Sequence, residues 1–349
     1  MSFGISVLFR LIPLVMGIIC LWLGWVVLDL NKGADTFVAG HVLISLAAIC
    51  YALFTTASVI IQQLIGSFNR FWMYVWPISG YVGAAIAIIW GIRIVESSVA
   101  APHIVAGHVV IGVGLIAVCV STVASASSKF ILIPKNSAAP ASKQVPATAY
   151  SSGVGKFFIA IPVVCSLVGL VWAIVLLINA QKAPYFVAGN VMLGLSFICS
   201  SLISLVASVV RQVRNEFDDQ ERWRWGWWVM VMGSVAIILG IYYLVSGNLS
   251  ERAAPGLVLI GLGMICYSIS SKVWLLALVW RRACSFANRI PLIPVFTCLF
   301  CLFLSAFLVN MNLIDPIYFI PSRVLVGLGA VCFTLFSIVS ILEAGTSSK

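Results

Sequence analysis

Three histidines, a lysine deep inside an apolar run and one C-x-x-C pair carry most of the chemical capacity of this chain. His41 and His108 occupy the same place in a recurring segment: Phe37-Val38-Ala39-Gly40-His41 returns as Ile104-Val105-Ala106-Gly107-His108, and again as Phe186-Val187-Ala188-Gly189-Asn190. Two degenerate copies, at Pro255-Gly256-Leu257 and Pro321-Ser322-Arg323, extend the series His41, His108, Asn190, Leu257, Arg323. His103 lies five residues before His108. An unperturbed imidazole titrates near pH 6.5, so external acid would charge these groups and set them against Arg323. That pattern suits a pH-sensing or gating role. The plainer reading is that the same residues cap and anchor helix ends at the headgroup level. Metal binding is not expected, because His103 and His108 lack one-turn spacing and no thiolate or carboxylate completes a set.

Lys272 lies about 24 Å along its span at 1.5 Å per residue. It is expected near the far membrane boundary, where its amine either snorkels or contacts a substrate or lipid phosphate. Arg10, just before Pro13, reads the same way. Trp223, Trp225, Trp227 and Trp228, interleaved with Arg222 and Arg224, suggest nucleic acid by composition. Their place at a span boundary instead points to lipid headgroups. Cys298 and Cys301 sit in the run CLFCLFL and read as small packing residues rather than a redox pair. The chain has no Walker loop, no H-E-x-x-H and no Ser-His-Asp set within its apolar runs. No enzyme activity, cofactor or metal is expected.

These residues are positioned by a membrane-embedded scaffold. Hydrophobic residues make up 62% of the 349 and charged residues 9%, against roughly 25% charged in soluble domains. Ten runs reach the roughly 20 apolar residues that cross a bilayer: 6–28, 37–62, 73–95, 104–128, 156–178, 186–210, 226–245, 255–280, 290–309 and 319–342. The first is read as a retained span, since no small-x-small cleavage site precedes Asp29. The ten cysteines lie almost entirely within such runs and form no secreted disulfide framework.

The even spans align on Gly40, Gly107, Gly189, Gly256 and Ser322. Five residues on stand Ser45, Gly112, Gly194, Gly261 and Gly327; seven on stand Ala47, Gly114, Ser196, Gly263 and Gly329. Offsets 0 and 7 fall on one line along a helix. There, small residues let a neighbouring backbone approach, which is what holds helices together in lipid. Pro13, Pro77, Pro162 and Pro294 mark four of the odd spans. The expected fold is all-α and polytopic, a single transmembrane domain of five parallel two-helix repeats near 1–68, 69–133, 151–215, 216–282 and 283–349. A loop at 134–150, rich in Ala, Ser, Pro and Lys, is expected to be flexible and cytoplasmic.

Basic residues divide 15 to 5 between the two sides, which predicts both termini inside the cell. The acidic residues fall in loops or at span ends, so no mid-bilayer carboxylate relay of the kind common in proton pumps is expected. The mid-membrane polar content is limited to weak neutral groups such as Thr55, Thr56, Thr122, Ser201, Ser204, Tyr267, Ser270 and Ser271.

The FVAGHVLISLAAIC segment, the KVWLLALVWRR and NRIPLIPVFTCLFCLF stretches and the closing FIPSRVLVGLGAVCFTLFSIVSILEAG resemble the YhiM-type inner-membrane proteins of enteric bacteria, over the whole chain. The resemblance implies an inner-membrane location and a link with survival in acid; it carries no catalytic motif. Two functions are then expected in order. The first is a pH-responsive channel or carrier for a small or amphipathic molecule. The second is a non-transporting scaffold that binds a partner or the anionic headgroups of membrane lipids on the cytoplasmic face. Protein partners are not legible, and nucleic acid is not expected.

Overall fold

The computed structural model describes residues 3–30, 33–65, 69–128, 150–214, 216, 219–247, 249–281 and 290–346. The expected loop at 134–150 lies outside the described residues, apart from Tyr150. Ten helices follow in order: α1 Phe3–Asp29, α2 Ala34–Ile65, α3 Arg70–Ser97, α4 Ala101–Ser127, α5 Ser152–Ile178, α6 Ala183–Val213, α7 Asp219–Val245, α8 Leu249–Arg281, α9 Leu292–Met311 and α10 Phe319–Thr346. No strand occurs among the described residues. All ten are long and apolar enough to cross a membrane.

Local signals place several of the ends. The Asn69 side chain accepts a hydrogen bond from the Phe71 amide, and Ser151 accepts one from Val154, satisfying first-turn donors of α3 and α5. A proline stands in the first two positions of both α4 and α6, where no amide is missed. Gly33, with φ of +102°, supplies the left-handed turn between α1 and α2.

Burial separates the helices into two layers. In the most apolar stretch of α2, α4, α6, α8 and α10, 67–83% of residues are buried; in α1, α3, α5, α7 and α9 the share is 22–33%. Each odd helix packs antiparallel against the even helix that follows it, giving five hairpins, and also leans on the preceding even helix. The even helices contact one another in the cycle α2, α4, α6, α8, α10 and back to α2. The result is an inner ring of five parallel helices sheathed by five outer ones.

Glycine positions explain both sets of contacts. At offset 0 the backbone meets its own hairpin partner. A Cβ on Gly24 would lie 2.8 Å from the Gly40 carbonyl oxygen, one on Gly91 2.8 Å from that of Gly107, and one on Gly240 2.5 Å from that of Gly256. In the fifth hairpin, Ser305 Oγ donates to the Ser322 carbonyl at 2.6 Å. Offset 5 instead receives leucines or methionine from the next even helix: Leu195 and Met192 at Gly112, Leu262 and Leu259 at Gly194, Leu328 and Leu325 at Gly261. The cycle closes at Gly327, which receives Leu46 and Leu43 of α2.

Candidate functional site

Parallel packing of five helices turns one stripe of each towards a common axis. A cavity of about 20 Å³ lies there, lined by all five even helices. Its lining forms layers in the shared register. At offset 9 stand Ile49, Ile116, Ile198, Ile265 and Val331; at offset 13, Leu53, Val120, Leu202, Ile269 and Leu335. At offset 16 the lining includes Thr56, Val123, Leu205 and Lys272. The steps of four and three residues are those of a coiled-coil seam. Bulky branched side chains meet at the axis and leave space near the lower limit for holding water, roughly 10–15 Å³.

Lys272 belongs to this cavity. It is 2% exposed, so its amine does not reach the headgroup region as snorkelling would require. Helix α8 begins at Leu249, ahead of the expected start of the span, and Lys272 lines the axial cavity. No hydrogen bond or ion pair joins it to another group among the described residues. Of the neutral polar residues in the spans, the lining includes Thr56, whose hydroxyl is directed to the carbonyls of Ala52 (3.0 Å) and Val120 (3.4 Å). Others tie helices together: Tyr81 with Thr122 at 2.9 Å, and Ser234 with Tyr267 at 2.8 Å. Thr55, Ser201, Ser270 and Ser271 bond back to carbonyls of their own helices. Ser204 is fully buried, with no hydrogen-bond partner for its Oγ among the described residues.

The offset-1 series occupies different ground. The side chain of His41 donates through Nδ1 to the Phe37 carbonyl at 2.8 Å, His108 through Nδ1 to Ile104 at 2.6 Å, and Asn190 through Nδ2 to Phe186 at 2.9 Å. Each then faces the odd helix of the next hairpin. His41 lies 5.2 Å from the Trp90 ring and His108 5.9 Å from Trp172, while Asn190 Oδ1 accepts from Tyr243 Oη at 2.8 Å. Leu257 is buried, and the Arg323 guanidinium sits 4.0 Å over the Phe319 ring and donates to Ser322 Oγ at 2.8 Å. His41, His108 and Asn190 therefore lie in separate grooves on the circumference and do not converge on the axis. The structure brings His41 and His103 together through Phe37, whose ring is 4.1 Å from His41 and 4.4 Å from His103. His108 stands apart from this pair.

The other candidates are dispersed. Arg10 is half-buried, with no hydrogen-bond partner for its Nε among the described residues. Trp223 is half-exposed and meets Trp274 of α8 edge-on at 5.0 Å; Trp225 packs against the core, and Trp228 donates to Ser200 Oγ at 3.0 Å. Cys298 and Cys301 are buried thiols, and no disulfide is found among the described cysteines. At the end of the bundle that carries the termini, Glu216 takes ion pairs from Arg214 (2.7 Å) and Arg211 (3.4 Å), and Arg211 also reaches Glu221 (3.1 Å). Arg214 donates to the Tyr150 carbonyl at 2.7 Å, joining the start of α5 to the end of α6. The Arg214 guanidinium holds the Glu216 carboxyl below its usual range.

Sequence reasoning singled out Lys272 but missed the axial cavity that it lines. A signal was present: every even span carries a branched aliphatic residue at offsets 9 and 13, and Lys272 breaks the run at offset 16.

Ten apolar helices, with the more buried five closed around an axis, define a multi-pass membrane protein. The chain belongs to the family described as Protein of unknown function (DUF2776), which matches residues 1–347. It is 59% identical over 350 residues to the Inner membrane protein YhiM of Escherichia coli (strain K12), covering 100% of both chains. The protein is accordingly a multi-pass inner-membrane protein. No solved structure matches the chain.

Proposed function

We propose that the protein is a hydrophobically gated channel for a small solute, with the axis of the inner ring as its path. The observation that carries this reading is the axial cavity shared by all five parallel helices and lined by two aliphatic layers. Apolar constrictions of this kind close pores by excluding water. The lining suits a small solute better than a long amphipathic one, because the cavity volume is about 20 Å³.

Opening is linked to external acid through the offset-1 groups. A charge on His41 would place a cation between the Phe37 and Trp90 rings, 4.1 and 5.2 Å away, and change how α2 packs on α3. The termini face the cytoplasm, where the basic side contacts anionic headgroups. A role in acid survival follows from combining this gate with the sequence resemblance; no enzymatic step is assigned.

The test is flux from proteoliposomes. Val120→Asn combined with Leu202→Asn hydrates the offset-13 layer, and polar residues at single seam positions are tolerated in parallel helix bundles at some cost in stability. The double variant should release entrapped ions well above wild-type protein. Tight vesicles containing correctly folded variant would favour the scaffold reading instead, as would stoichiometric lipid retained by a bundle that never conducts.

A further inference from the structure

The axial cavity presents one amine in an apolar sleeve. Lys272 is 2% exposed and lines it, with Leu205, Val123 and Thr56 at the same level and Ile269 and Leu202 one layer away. By register the fifth helix contributes Ile338, which is fully buried. No carboxylate stands at this level on any of the five helices, and Lys272 has no hydrogen bond or ion pair among the described residues. Buried lysines are almost always paired, because an ammonium without a counter-charge is poorly tolerated in apolar surroundings. Thr56 does not compensate, since it carries no charge and its hydroxyl proton is engaged by carbonyls.

We propose that the axial cavity is a binding site for a small monovalent anion, held by the Lys272 ammonium. The cavity volume of about 20 Å³ has room for one occupant little larger than a water, so the aliphatic walls must give slightly for a halide or formate, and an acyl chain is excluded. The aliphatic walls offer no further donors, so a weakly hydrated monovalent ion is preferred over sulfate or phosphate. One charged donor in a dry sleeve gives weak, fast-exchanging binding, the condition for passage rather than storage. The same charge repels cations along the axis. The binding site stands on the cavity itself; its role as a selector rests on the channel reading above.

The experiment has two arms, using full-length purified protein. The first measures ³⁵Cl NMR line broadening in detergent, with bromide and formate as competitors and sulfate as the control. Lys272→Met and Lys272→Gln shorten the side chain by one atom and remove its charge, and Lys182→Met controls for surface lysines. The site predicts saturable broadening that falls at least tenfold in both Lys272 variants, persists in Lys182→Met and is displaced by bromide or formate. Equal broadening in a folded, monodisperse Lys272 variant would overturn it. The second arm measures chloride against sodium flux on the Leu202→Asn background. Anion preference lost on adding Lys272→Met supports the selector role, and unchanged preference removes it. If Leu202→Asn conducts nothing, the channel reading fails while the NMR arm still decides the anion site.

Discussion

Replacing Gly327 with alanine tests whether the inner ring is closed. The new methyl would lie 2.5 Å from Leu46 Cδ1 and 3.0 Å from Leu43 Cδ2, where carbon atoms prefer about 3.5–4.0 Å. Leu43 and Leu46 are each 1% exposed, so neither can swing into lipid, and α10 and α2 must separate by about an ångström. Overpacking of this kind costs about 1–3 kcal/mol. Alanine recovers about 1 kcal/mol over glycine in a helix interior, leaving a net loss of about 0–2 kcal/mol, and the comparison with Gly153→Ala decides the sign. The other seams supply internal standards: the nearest side-chain atom to a Cβ on Gly112, Gly194 or Gly261 is 2.5, 2.6 or 2.6 Å away. Gly153, whose nearest neighbour is 4.0 Å away, supplies the unstrained control. Chemical unfolding in mixed micelles should rank the four seam variants together, below Gly153→Ala. If Gly327→Ala behaved like Gly153→Ala while the other three lost stability, the ring would be open between α10 and α2.

Further outcomes follow from individual contacts. Tyr243→Phe leaves Asn190 Oδ1 buried without its 2.8 Å donor and should cost about 1–3 kcal/mol. Adding Asn190→Leu, the residue its counterpart Leu257 already is, should recover part of that loss; no recovery in the double variant would show that the bond is not the source. The Arg214 guanidinium depresses the Glu216 carboxyl from its ordinary value of 4.5. Its contribution is therefore full above that value and lost as pH falls through the lower folded value. Protection from hydrogen exchange at the start of α5, taken relative to the intrinsic rate at each pH, should fall in acid for wild type, and Glu216→Gln should show the lowered protection already at neutral pH. Flat protection in both would remove the link through Tyr150. His41→Gln with His108→Gln should lower survival of acid shock at unchanged protein levels, and wild-type survival would discard the sensor role for these two side chains.

Much of the scaffold is legible in the chain, because lipid demands it. Ten apolar runs become ten helices, and the small residues at offsets 0, 5 and 7 mark where backbones approach. Which neighbour approaches is not legible. Gly256 meets the outer helix of its own hairpin, whereas Gly261, five residues on, meets the next inner helix. The axial stripe is hidden for a related reason: inner helices are apolar on every side, so a seam of Ile265 and Ile269 does not stand out from its surroundings. Lys272 shows the limit most directly. Counting residues gives its height, but its azimuth is set by the ring, and the ring depends on the contact between α10 and α2, the last and first of the inner helices in sequence. The histidines show it too. His41 and His108 stand eight residues into α2 and α4 rather than in the first turn, and their partners Trp90 and Trp172 come from other hairpins.

The claim that the axis is the working path is tested most directly by planar-bilayer recording of Leu202→Asn. Val171→Asn, at a lipid-facing position of α5 that is 59% exposed, serves as the control. Discrete unitary current steps from Leu202→Asn, absent from Val171→Asn, are the predicted result. Silent bilayers with folded Leu202→Asn, or equal currents from both variants, would contradict an axial path.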